Sequence, residues 1–122
     1  MKFNIEKFQA VYKNNQPWAI KMIKEYDKKN IDRMFKLKNK FKHINIQNIN
    51  ENIEVIDSNE KEIKKIQKSL REDLKTLEKL KEITRANIFI REIDHLKKVI
   101  IELNSFFDQH FLLADMFKKS QD

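Results

Sequence analysis

Apolar residues recur at heptad spacing along the second half of the chain, and that pattern predicts two amphipathic helices. Ile56, Ile63, Leu70 and Leu77 stand seven residues apart, with Ile66, Leu74 and Leu80 widening the stripe on a highly charged rod. Asp57 with Glu60 three residues on has the form of a capping box, so this helix is expected to begin at Asp57-Ser58. Near Thr84 the phase shifts. A new register runs through Ala86, Ile93, Ile100, Phe107 and Ala114, alternating with Phe89, Leu96, Leu103, His110 and Phe117. Val99, Phe106, Phe111 and Leu113 broaden it toward the C-terminus, where more than one neighbour is needed to cover it.

The phase shift at Thr84–Asn87 admits two arrangements. A tight turn there folds two antiparallel helices together. A stutter instead carries one helix through, giving a rod of roughly 60 residues and about 90 Å. No Gly or Pro marks a stop, which favours continuity. A continuous rod cannot cover both stripes by itself, so continuity implies a dimer or a larger host assembly.

Upstream, Asn14-Asn15-Gln16-Pro17 is a helix start, since Asn caps exposed amides and Pro suits the first turn. A helix from Pro17 to about Phe41 places Ile20, Ile23, Ile31, Met34, Leu37 and Phe41 near one face, interrupted midway by Asp27 and Asn30. The Asn-rich run His43–Asn52 reads as a connector. Ile44 and Ile46, then Ile53 and Val55, also permit a short β-hairpin, but an isolated hairpin is marginal and a loop is preferred. The expectation is a single helical domain over 1–122: an N-terminal arm at 1–16, a basic helix at 17–42, an Asn-rich connector at 43–56, and a coiled-coil-like hairpin or rod at 57–118. The fold class is all-α, a three-helix bundle or helical hairpin, possibly elongated.

Composition narrows the chemistry. The chain has no Gly, no Cys and a single Pro, and 37% of its residues are charged. Tight sheet turns lean on Gly and Pro, so a multi-stranded sheet is disfavoured. Phosphate-cradling glycine loops are excluded, as are disulfides, cysteine nucleophiles and thiolate metal sites. No window has the apolar length of a secretory signal or a membrane span, so a soluble intracellular protein is expected.

The net charge of +7 is unevenly placed. Residues 1–50 carry twelve basic side chains against four acidic ones, whereas residues 51–122 carry fourteen against fifteen. The whole surplus lies upstream, as for a basic patch that faces an anionic partner. Its densest part is Arg33-Met34-Phe35-Lys36-Leu37-Lys38-Asn39-Lys40-Phe41-Lys42-His43. On a helix, Met34, Leu37 and Phe41 form an apolar strip flanked by ammonium groups, a layout suited to phosphate backbones, an anionic membrane surface or an acidic protein groove. Arg33, Lys36, Lys38, Lys40 and Lys42 are the candidate anion- or nucleic-acid-binding residues. The competing explanation is an ordinary solvated face in a lysine-rich chain.

No catalytic residue is expected. Asp94 and His95 are adjacent and point about 100° apart on a helix, and neither His nor carboxylate has a partner placed for acid–base work. A core role is the expected one for Trp18, which beside Pro17 at a helix entry would instead suit a partner anchor if it were exposed. In Phe106-Phe107-Asp108-Gln109-His110-Phe111-Leu112-Leu113-Ala114-Asp115, His110 and Asp115 form an H-x-x-x-x-D step among aromatics. This stretch locally resembles the last metal-binding helix of hemerythrins. Asp27-Lys28-Lys29-Asn30 loosely echoes that family's first helix, with Asn30 in place of a His ligand. The resemblance implies a metal-binding helical bundle. A di-iron centre of that kind also needs His from the middle helices, and no His occurs between His43 and His95. No metal and no cofactor is therefore expected, and His110 is read as a buried, hydrogen-bonded core residue.

These features lead to an expected non-enzymatic protein-interaction module: a small subunit, adaptor or chaperone-like component of a larger assembly. Its partner, a protein or a second copy, would be met through Ile93, Leu96, Ile100, Leu103, Phe107 and Phe117. The alternative is a nucleic-acid-associated protein that grips phosphates through residues 33–43. No small-molecule substrate is expected.

Overall fold

The computed structural model describes residues 3–43 and 45–121, and every regular element among them is an α-helix. The two heptad stripes define its long axis. α5 (Glu60–Thr84) and α6 (Asn87–Ser120) are antiparallel and zip their apolar faces together. Ile63, Ile66, Leu70, Leu77 and Leu80 of α5 are buried, as are Phe89, Ile93, Leu96, Ile100, Leu103, Phe107 and Ala114 of α6. The register is visible in polar pairs across the seam. Lys81 meets Asp94 at 2.9 Å, Lys97 pairs with Glu78, and Gln67 Nε2 donates to Asp108 Oδ1 at 2.9 Å. As one partner's number falls, the other's rises by the same amount, which is the signature of an antiparallel pair in one unbroken register.

The turn is at Thr84–Asn87, not a stutter. Arg85 takes a left-handed backbone (φ 50°) and Ala86 an extended one (φ −80°, ψ 133°). No Gly was present to announce it. A non-Gly residue at positive φ costs about 1 kcal/mol or more, and burial of both apolar stripes within one chain outweighs that amount many times over.

Three other elements differ from the sequence expectation. The region read as a connector holds a helix, α4 (Ile49–Ser58), which runs through the expected start at Asp57-Ser58. α5 begins only after Asn59, whose Nδ2 donates to the Val55 carbonyl at 2.8 Å and so satisfies a carbonyl at the end of α4. Lys118 of α6 pairs with Asp57 at 2.7 Å, continuing the same register, so α4 prolongs the α5 arm beyond Asn59. The Ile alternation there serves a helix face: Asn52 and Ile56 are buried on it, and neither the preferred loop nor the hairpin forms over 49–58. Ile44 lies outside the described residues.

The single helix expected over Pro17–Phe41 is two, α2 (Gln16–Lys24) and α3 (Lys28–Lys38). Asp27, the residue that interrupted the apolar face, sits between them at φ 47°. Asp is among the few residues that tolerate this conformation. Asn15 caps α2 through its side chain to the Trp18 amide at 3.3 Å, with Pro17 in the first turn, as the sequence indicated. The N-terminal arm contains a further short helix, α1 (Ile5–Val11), capped by Asn4. Phe8 of α1 is buried and stacks on Tyr12, and the Tyr12 hydroxyl donates to the Ile83 carbonyl at 3.3 Å. The arm thus seals the turn end of the hairpin.

α2 and α3 lie along the hairpin as its third layer, from Lys24 near Glu92 to Phe41 against Phe106, Phe107 and His110. The fold is a three-layer helical bundle whose first layer is broken at Asp27. None of the described helices is long and apolar enough to cross a membrane.

Candidate functional site

The bundle's self-contained core decides where function can reside. Ile93, Ile100 and Phe107 are fully buried, and Leu96 and Leu103 nearly so, all against the chain's own helices. Only Phe117, half-buried near the end of α6, keeps part of its surface free. The stripe expected to receive a partner is occupied intramolecularly, because the turn at Arg85 lets α5 cover it. His110 is likewise buried, with Nδ1 2.9 Å from the Phe106 carbonyl oxygen. That oxygen can only accept, so Nδ1 carries a proton, and the buried Nε2 has no hydrogen-bond partner among the described residues. No group of three or more His, Asp or Glu positioned for a metal ion occurs among the described residues.

The basic segment behaves differently, because most of it faces outward. α3 lies in the angle between α5 and α6, and its solvent side carries Lys29, Arg33, Lys36 and, just past its end, Lys40. These are spaced by four, three and four residues and form one helical stripe. A groove between α3 and α5 is lined by Lys29, Arg33, Lys36 and Lys65, with Asp32 and Glu62 among them. Arg33 neutralises Glu62 with a forked contact, Nε to Oε1 at 2.6 Å and Nη2 to Oε2 at 3.1 Å. This hydrogen-bonded pairing holds the Glu62 carboxyl below the usual carboxylate range, and the nearby Lys40 ammonium adds to the effect. Glu62 is therefore spent on Arg33. Lys29, Lys36, Lys40 and Lys65 make no ion pair among the described residues.

The groove opens onto a ridge that the sequence reading passed over. Lys61, Lys65, Lys68, Lys75 and Lys79 are all exposed on the outer side of α5, none paired among the described residues, and they span about 27 Å at 1.5 Å per residue. Their spacing was legible, but the apolar heptads on the opposite face of the same helix dominated its pattern.

At the far end of α3 the chain makes a basic and aromatic hollow of about 690 Å³, lined by Lys38, Phe41, Lys42, His43, Phe106 and His110 together with Asn39 and Asn48. Phe41 stands edge-on to Phe106 (centroids 5.4 Å apart) and to His110 (4.5 Å), and Lys38 Nζ lies 4.9 Å from the Phe106 ring centroid. Lys42 pairs with Glu51 at 2.7 Å. Its backbone is gripped by the buried Asn52 of α4, a positioning residue that no sequence pattern singled out. Of the five candidate cations, then, Lys36 and Lys40 are free, Lys38 covers an aromatic ring, and Arg33 and Lys42 are tied to Glu62 and Glu51.

One further cluster stands apart from this face. Tyr26 and Asp27, at the α2–α3 corner, meet Asp73 and Thr76 of α5. Burial, reinforced by the facing Asp27 carboxyl, pushes Asp73 up to about 8, and its Oδ2 has no hydrogen-bond partner. Burial also raises the Tyr26 phenol above its ordinary value. No protein-family model, curated protein or solved structure matches this chain.

Proposed function

We propose that this chain is a non-enzymatic helical module that binds the phosphate backbone of nucleic acid through the basic face of α3 and α5. The observation that carries the proposal is the convergence of Lys29, Lys36 and Lys65 on one groove, with Lys40 close enough to act on Glu62, while Arg33 removes the charge of that Glu62. Free ammonium groups in a row gain affinity for a polyanion by releasing its condensed counterions. Ammonium groups already paired with carboxylates gain far less. A rigid bundle behind the stripe fixes the spacing of its charges, so little ordering remains to be done on binding.

Fluorescence anisotropy with a labelled oligonucleotide across a salt series tests this directly. Affinity is expected to fall steeply between about 50 and 200 mM salt. Changing Lys29, Lys36 and Lys40 together to Gln is expected to reduce the magnitude of the log–log salt slope by about 2 to 3. Absence of binding at low salt, or a slope unmoved by the triple change, would overturn the proposal.

A second reading keeps a protein partner. Ile101, Leu112 and Met116 of α6 are each at least half exposed, on a side of the helix that the rest of the bundle leaves open. Apolar association there would be nearly insensitive to salt, which separates it from phosphate binding.

A further inference from the structure

The hollow at the end of α3 is not needed for gripping a phosphate backbone, and its composition calls for a different ligand group. Phosphates are met by cations and by N–H or O–H donors, and an aromatic floor offers them nothing. Here the floor is three rings in contact, Phe41, Phe106 and His110, and the rim is Lys38, Lys42 and His43 with the amides of Asn39 and Asn48. Phe106 is only half-buried: the His110 ring packs against it with centroids 4.3 Å apart, and the Lys38 ammonium, on a flexible stem, lies 4.9 Å from its centroid. The ring surface under Lys38 becomes available to a planar ligand once Lys38 swings to an anion, as a Lys side chain readily does.

The hollow is also held in shape. The Lys42 N–H donates to Asn52 Oδ1 at 3.0 Å, and Asn52 Nδ2 donates to the Lys42 carbonyl at 3.2 Å, so the Phe41–Lys42 backbone is fixed to α4. Asn48 Nδ2 donates to the His43 carbonyl at 3.3 Å, tying His43 to the residue that precedes α4. The volume lies within the range of clefts that enclose small organic groups.

Resting on the phosphate-binding function above, we infer that this hollow is a subsite for an unstacked nucleobase, so that the strand bound by this face is single rather than duplex. Bases paired inside a duplex present no ring face to protein. A single strand can lay one base on Phe106 while its neighbouring phosphates meet Lys38 on the α6 side and pass round the end of α3 to Lys40 and Lys36 on the α5 side. Stacking on an aromatic ring tolerates any base, and Asn39 and Asn48 offer both donors and acceptors to its edge.

The test compares three labelled polymers with the full chain at one fixed low salt: a short oligothymidylate, a deoxyribose-phosphate chain of equal length lacking bases, and a duplex of equal length. Oligothymidylate is expected to bind at least about fivefold more tightly than the abasic chain. Phe106→Leu, which keeps an apolar side chain in place, is expected to erase that preference and leave abasic binding unchanged. Equal affinity for the base-bearing and abasic chains would overturn the subsite while leaving the phosphate-binding face intact. Duplex binding as tight as single-strand binding would do the same. Failure of all three polymers to bind would overturn both. The comparison of polymers on the unaltered protein stands by itself if Phe106→Leu fails to fold.

Discussion

Asn52 holds Lys42 by both of its backbone groups, accepting from its N–H at 3.0 Å and donating to its carbonyl at 3.2 Å. A side-chain amide has the same donor and acceptor as a peptide group, so Asn52 acts as a piece of backbone that α4 extends to the chain beyond α3. It is itself buried, which makes the pairing an obligation as well as a support.

Asn52→Leu would leave the Lys42 N–H and carbonyl short of partners and remove the tether. A loss of about 1–3 kcal/mol in unfolding free energy is expected, measured by urea denaturation. The hollow should loosen with it, so oligothymidylate binding is expected to weaken in parallel. Unchanged stability would mean that water replaces the amide at no cost.

Asp73 imposes a pH dependence whose sign is opposite to that of an ordinary salt-bridged carboxylate. Its folded-state pKa is raised to about 8 by burial and by Asp27, whereas an unfolded Asp titrates near 4. Below about pH 4 the group is protonated in both states and its contribution to stability is fully present. As pH climbs toward 8 the unfolded state ionises first, and that contribution is lost. The groups facing the carboxyl are Tyr26, Asp27 and Glu72, with no cation among the residues that line the site. Asp73→Asn is expected to flatten stability between pH 4 and 8 and to raise it at pH 8 by on the order of 1–2 kcal/mol, allowing for solvent on the open side. Thermal melts across that range are the measurement, and parallel curves for the two proteins would refute the assignment.

Arg85 occupies the left-handed region at the hairpin turn (φ 50°), where a Cβ is unfavourable. Arg85→Gly removes that cost but adds freedom to the unfolded chain, so the net gain is expected to be modest, about 0.5–1 kcal/mol. A loss of stability in chemical denaturation would show that the Arg85 side chain contributes contacts worth more than its backbone costs.

Ile93 has no exposed surface, and its neighbours in the core are apolar. Ile93→Asp would bury an unpaired charge, and unfolding or a loss of at least about 3 kcal/mol is expected. Light scattering after size exclusion adds a second check on the same helix. With both stripes covered within one chain, the unaltered protein is expected to elute as a monomer in low and high salt. A stable dimer would point to the outer side of α6, at Ile101, Leu112 and Met116.

The sequence by itself determined the helices and most of what they bury. Heptads at Ile63, Leu70, Leu77 and at Ile93, Ile100, Phe107 are set by local periodicity, and absence of Gly leaves a chain little else to become. Core placement of His110 was legible for the same reason, since it falls on the apolar phase. The surplus charge of the first 50 residues was equally visible. What only the tertiary structure decided was which surfaces remain free. The break at Asp27 and the turn at Arg85 carry no Gly or Pro, because each uses a non-Gly residue at positive φ that packing energy sustains and local propensity does not announce. That turn converts the α6 stripe from an expected interface into core. Free cations were just as opaque: Arg33 and Lys36 lie three residues apart, yet Glu62, twenty-nine residues beyond Arg33, neutralises one and leaves the other open. Periodicity is a property of neighbours along the chain, whereas availability depends on which distant side chain arrives, and only the folded bundle contains that information.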